Sequence, residues 1–80
     1  MTPRFKAGNL IWPNDDIRRE AATLGYSPRV YLVIAYHAID TAVVNGQVAA
    51  WYDLLGGEQM CQYSAHALEN THETVMISDT

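Results

Sequence analysis

Beyond Arg29 the chain contains no lysine and no arginine, and this asymmetry constrains it more than any other feature. The cations are Arg4, Lys6, Arg18, Arg19 and Arg29, and they share their stretch with the acids Asp15, Asp16 and Glu20. The rest of the chain holds Asp40, Asp53, Glu58, Glu69, Glu73 and Asp79, and the whole carries a net charge of −4. Carboxylates without interspersed cations cannot neutralise one another through local ion pairs. Their field is therefore expected to be screened by salt or met by a basic partner surface.

At 80 residues the chain is expected to be one domain, residues 1–80, with room for a single core. Such a domain buries only about 60% of the surface its unfolded chain exposes. Apolar residues make up 49% and charged residues 18%, which argues for a packed globule and against disorder. The lone Cys61 excludes an internal disulfide scaffold and a four-cysteine zinc site. No apolar run has membrane-spanning length and the N-terminus lacks a signal-like apolar stretch, so the expectation is a cytoplasmic protein with no membrane partner.

Along the chain, residues 4–12 end at Pro13 and read as a short edge strand or extended arm. Asn14, Asp15 and Asp16 supply a cap and two acids for a first helical turn, and Ile17, Ala21 and Leu24 follow at helical spacing. Gly25 stops the run, which predicts a helix over 15–24. Ser27–Pro28 opens a nearly continuous apolar segment in which a strand over 29–36 competes with a buried helix over 28–44. The stripe His37, Asp40, Thr41 favours the helix. Asn45–Gly46 is a strong hairpin signal. Val48, Trp51, Tyr52 and Leu55 nevertheless match the helical template at i, i+3, i+4 and i+7, which predicts a helix over 47–55. A last helix over 58–69 and a strand over 74–78, paired with the N-terminal segment, complete the reading. The fold class expected is α+β: a mostly helical single domain with short terminal strands. The alternative is an antiparallel three-stranded sheet from 29–52 packed with helices.

Residues 17–36 also resemble a helix-turn-helix. Ala21 stands where that family places a small residue at the helix crossing, Gly25 where it turns, and Tyr26 and Ile34 where apolar side chains lock the pair. The resemblance implies a small DNA-binding regulator with Arg18, Arg19 and Arg29 on phosphates. The segment that would read bases, Arg29-Val30-Tyr31-Leu32-Val33-Ile34-Ala35-Tyr36, departs from it, offering one arginine and then apolar residues.

Catalytic and metal chemistries find little support. On a helix Cys61 and His66 would lie about 140° apart, and with His72 they make three ligands of the four that a structural zinc needs. His37 and Asp40 form a possible oriented base, without a nucleophile or oxyanion hole beside them. Gly56–Gly57 precedes a predicted helix but lacks the lysine and hydroxyl of a phosphate loop. No cofactor, metal or catalytic residue is expected, and the chain reads as a non-enzyme.

In size, acidity and lack of catalytic motifs the chain resembles the small phage-encoded inhibitors of bacterial defence, of the anti-CRISPR type. The resemblance implies a non-enzymatic protein, in the cytoplasm of a bacterial host, that docks an acidic face on the basic, nucleic-acid-binding surface of a larger protein or nucleoprotein complex. It would block that surface, as a DNA mimic does. The contact residues implied are Asp40, Asp53, Glu58, Glu69 and Glu73, with no direct nucleic-acid binding. The state expected is a monomer or weak dimer, Cys61 being able to cross-link on oxidation. The helix-turn-helix regulator is the alternative. The acidic-face reading requires the carboxylates to lie together and apart from the early arginines.

Overall fold

A computed structural model describes residues 3–44 and 46–75, and the side chains of all of these except 40–44 and 47. The elements in chain order are β1 (Leu10–Pro13), α1 (Asp15–Thr23), β2 (Tyr31–Val44), β3 (Gln47–Gly56), β4 (Gln59–Ser64), α2 (Ala65–Thr71) and β5 (His72–Thr74). The five strands form one sheet in the order β4-β3-β2-β1-β5, with every neighbouring pair antiparallel. The expectation of a mostly helical domain is thereby overturned. The sheet is also wider than the three-stranded alternative over 29–52.

The helix over 28–44 is the strand β2, and the helix over 47–55 is the strand β3. They are joined through Gly46, at φ +77, where the dipeptide signal puts a turn; Asn45 lies outside the described residues. The residues expected to form the second helix of a helix-turn-helix are thus a strand, and 17–36 does not form that motif. Tyr26 and Ile34 lock nothing and are exposed. The helix over 58–69 divides into β4 and the short α2. The N-terminal strand is shorter than 4–12 and lies inside the sheet, between β2 and β5. The C-terminal strand pairs with it as expected, Trp12 facing Glu73, but covers His72–Thr74; residues 76–78 lie outside the described residues.

The first helix forms where its caps place it. The Asn14 side chain accepts from the Ile17 N–H at 3.1 Å, and Asp15 pairs with Arg19 at 2.6 Å, one turn on. Gly25, at φ +83, lets its own N–H reach Ala22 O and the Tyr26 N–H reach Ala21 O, a Schellman ending. No residue of α1 is fully buried. It is held by Arg18, which donates to Pro13 O and Glu73 and lies 4.1 Å over the Trp12 ring.

Tyr52, Leu54 and Gly56 are the buried residues of β3, so alternation puts them on one face. Ile11, Val33, Tyr52 and Leu54 from that face, Phe5 from the N-terminal arm and Ala65 and Leu68 from α2 form the core. The sheet curls around this face. Rings from β2, β4 and β5, namely Tyr31, Tyr63 and His72, lie 6.2 to 6.4 Å from one another. Flat, the outer strands β4 and β5 would stand roughly 19 Å apart. The Tyr31 ring covers Gly56, where a Cβ would meet it at 2.7 Å, so only glycine fits beneath it.

Candidate functional site

Among the described residues, the opposite, convex face of β2, β3 and β4 has no helix over it; α2 contacts β3 and β4 from the core side. The register decides what this face presents. Ala35, Asp53 and Gln62 form one cross-strand row, His37, Trp51 and Ser64 the next, and Leu32, Leu55 and Met60 a third. The face exists in this form because of an irregularity between Val33 and Ala35, where Ile34 is an extra residue. Val33 faces the core opposite Leu54, and after the bulge Tyr36 does so opposite Tyr52. The alternation has shifted by one position, which turns His37 outward.

His37 then meets Asp53 on the diagonal, Nε2 to Oδ2 at 2.7 Å. An ionised carboxylate only accepts, so the imidazole proton sits on Nε2. The Gln62 amide donates to Oδ1 at 3.1 Å, so each oxygen of Asp53 has one donor and spare lone pairs. The His37 hydrogen bond, with a smaller contribution from Gln62 and the imidazole charge, holds the Asp53 carboxyl below its usual range against the opposing effect of burial. His37 stacks on Trp51, rings 5.2 Å apart and 23° from parallel. A shallow concavity of about 340 Å³ lies beside Asp53, lined also by Met60, Cys61 and Gln62. Asp53 is thus a carboxylate fixed from two sides on an open, largely apolar and aromatic face.

The other expected contact residues do not join it. Glu69, on α2, accepts from the buried Tyr52 hydroxyl at 2.5 Å and from the Arg4 N–H at 3.2 Å, while the Arg4 guanidinium donates to its backbone carbonyl. These contacts lie on the core side of the sheet, opposite Asp53. Glu73 pairs with Arg18 at 2.9 Å. Glu58 sits exposed in the β3–β4 turn and makes no ion pair among the described residues. Asp40 belongs to β2, and its side chain lies outside the described ones. The carboxylates therefore form no single negative face: Asp53 and Glu69 occupy opposite sides, and Glu69 and Glu73 are engaged by Arg4 and Arg18. Local pairing was indeed impossible for them, but pairing across the sheet was not.

His37 takes its carboxylate from Asp53, sixteen positions on, and not from Asp40. No group of three His, Cys, Asp or Glu side chains among the described residues could hold a metal ion. His72 packs at a tilt against Tyr31 and Tyr63, where burial lowers its pKa, and His66 meets the Asn70 amide at 3.3 Å. Gly56–Gly57 ends β3 and starts a turn, and it precedes no helix. Among the described residues no helix is long and apolar enough to cross a membrane.

His37, Trp51 and Gln62 are site residues that the sequence reading missed as a group. Trp51, Asp53 and Leu55, every second residue of β3, carry the signal, which is legible only once β3 is read as a strand. Compared with known protein families, curated proteins and solved structures, the chain matches none of them.

Proposed function

We propose that the chain is a non-enzymatic binding protein that docks on a basic protein surface through the convex face of β2–β4, with Asp53 receiving an arginine of the partner. The observation that carries this reading is Asp53 held by His37 and Gln62 on a face that no helix covers. The two donors restrict its side chain before binding, so little ordering entropy is lost on contact. Its free lone pairs fit the two parallel N–H groups of a guanidinium. Trp51 and Met60 beside it supply the apolar and aromatic surroundings that make a charged contact count. The net charge of −4 favours encounter with cationic surfaces over nucleic acid.

The experiment is capture from host lysate by immobilised wild type, Asp53→Asn, Asp53→Lys and Glu58→Lys, followed by titration calorimetry on the captured protein. Asp53→Lys is expected to abolish capture and Asp53→Asn to weaken it by about tenfold or more. Glu58→Lys, at a distant turn, is expected to capture normally. Because the Asp53 pKa is depressed, its negative charge persists below the ordinary carboxyl range, so affinity is expected to hold through mildly acidic pH. Equal capture by wild type and Asp53→Lys would refute the proposal.

A further inference from the structure

Strand β2 runs 14 residues, but β1 accompanies it only at its start, through Leu10–Leu32 and Ile11–Tyr31 and the backbone bonds joining Gly8 and Asn9 to Val33. From Ile34 to Val44 this edge has no partner strand among the described residues, and its regular part between two irregularities, Ala35 to Ile39, spans about 17 Å. On the far side β4 leaves β3 at Trp51, opposite Ser64, so the outer part of the hairpin is a ribbon of two strands. Two strands alone are marginal in water. Ile34, Ile39 and Val48 on this hairpin are exposed. Proteins that stay single protect such an edge with lysine, proline, inward charge or bulges. The irregularities at Ile34 and between Ile39 and Val43 leave Ala35–Ile39 as the regular, unguarded stretch. Residues 34–44 contain neither lysine, arginine nor proline.

We propose that this edge of β2 pairs antiparallel with the same edge of a second copy of the chain, extending the sheet through a two-fold axis. Charge selects that occupant. A chain of net charge −4 repels its own copy wherever carboxylates are dense, and between Ile34 and Ala50 the sequence has a single acid, Asp40, and no lysine or arginine. The arginine ion pairs, Arg18 with Asp15 and Glu73 and Arg19 with Asp15, and the hydrogen bonds of Arg4 to Glu69 belong to the N-terminal arm, α1, α2 and β5, at the other end of β2. A partner rich in cations would find few charges to meet on the ribbon, whereas an identical, nearly neutral apolar edge matches it. An isologous pairing also closes, leaving no edge for further growth at that site. Edge strand β4 is shorter, at six residues.

The test is sedimentation velocity on the full chain as Cys61→Ser, which removes disulfide dimers from the measurement. A species of twice the chain mass is expected at micromolar concentration. Ile39→Lys is expected to raise the dissociation constant at least about tenfold with an unchanged circular dichroism spectrum, and Asp53→Asn to leave it unchanged. Should Ile39→Lys fail to fold, single cysteines decide. Among Ile34→Cys, Ala38→Cys and Ile39→Cys in the Cys61→Ser background, the one nearest the two-fold axis is expected to form a disulfide dimer well ahead of Val48→Cys on β3. A monomer up to about 0.5 mM, well above common dimer affinities, would overturn the proposal. So would a dimer indifferent to Ile39→Lys, or one cross-linked fastest through Val48→Cys.

Discussion

Tyr52 is fully buried, yet its hydroxyl donates to Glu69 and accepts from the Phe5 N–H at 3.2 Å. Its ring packs 5.7 Å from Phe5 and 5.1 Å from Tyr36. One side chain therefore ties the N-terminal arm, β2, β3 and α2 together. Burial, then the Glu69 hydrogen bond, pushes the Tyr52 pKa up to about 12. A pKa raised on folding means that the folded state keeps its proton longer than the unfolded one. The stability is present below pH 10 and is lost as pH rises from about 10 to about 12. One of the five tyrosines is thus expected to ionise late in an absorbance titration, coincident with alkaline unfolding. Tyr52→Phe removes that late step and leaves the Glu69 carboxylate and the Phe5 N–H without this partner. It is expected to cost about 1–3 kcal/mol in urea denaturation.

At the scale of elements, β2 and β3 show why the helical template misled. Val48, Trp51, Tyr52 and Leu55 fit helical spacing, but in the strand Tyr52 faces the core while Trp51 and Leu55 face outward. A strand with apolar residues on both faces loses its period of two, and the pattern that remains can match a helix by accident. The local turn chemistry was the better guide. Gly46 sits at φ +77, where a side chain is strained. Gly46→Ala is therefore expected to destabilise the hairpin by about 1–2 kcal/mol, with hydrogen exchange accelerating in β2 and β3 before α1. In α1, by contrast, cap, acids and terminal glycine are all contiguous, and the helix forms where they put it.

For the whole molecule, Arg18 matters more than its position suggests. It bridges Pro13 O, Glu73 and Asp15 and covers Trp12, so it fastens α1, which buries no residue of its own, to β1 and β5. Arg18→Gln is expected to cost about 1.5–3 kcal/mol, the range for a hydrogen bond to a charged group. It should also expose α1 to limited proteolysis ahead of the sheet. Equal cleavage rates in both proteins would show that α1 is held by other contacts. Arg18 on the Glu73 carboxylate and the Arg4 guanidinium on the Glu69 backbone carbonyl also show how the cation-free stretch is accommodated. The early cations return to it across the fold.

What the sequence determined by itself was what neighbours in the chain can settle: α1 with its Asn14 cap and Gly25 ending, the turn at Gly46, the segregation of charge, and β-forming residues near both ends. Only the tertiary structure decided the rest. Which carboxylates remain open depends on contacts such as Arg18–Glu73, 55 positions apart. Which face His37 occupies depends on a single extra residue, Ile34, in β2. Strand alternation has a period of two, so one inserted position exchanges inside for outside for every residue that follows. That choice is made by the packing of Val33, Tyr36, Tyr52 and Leu54 against α2 and the N-terminal arm, and no local pattern encodes it.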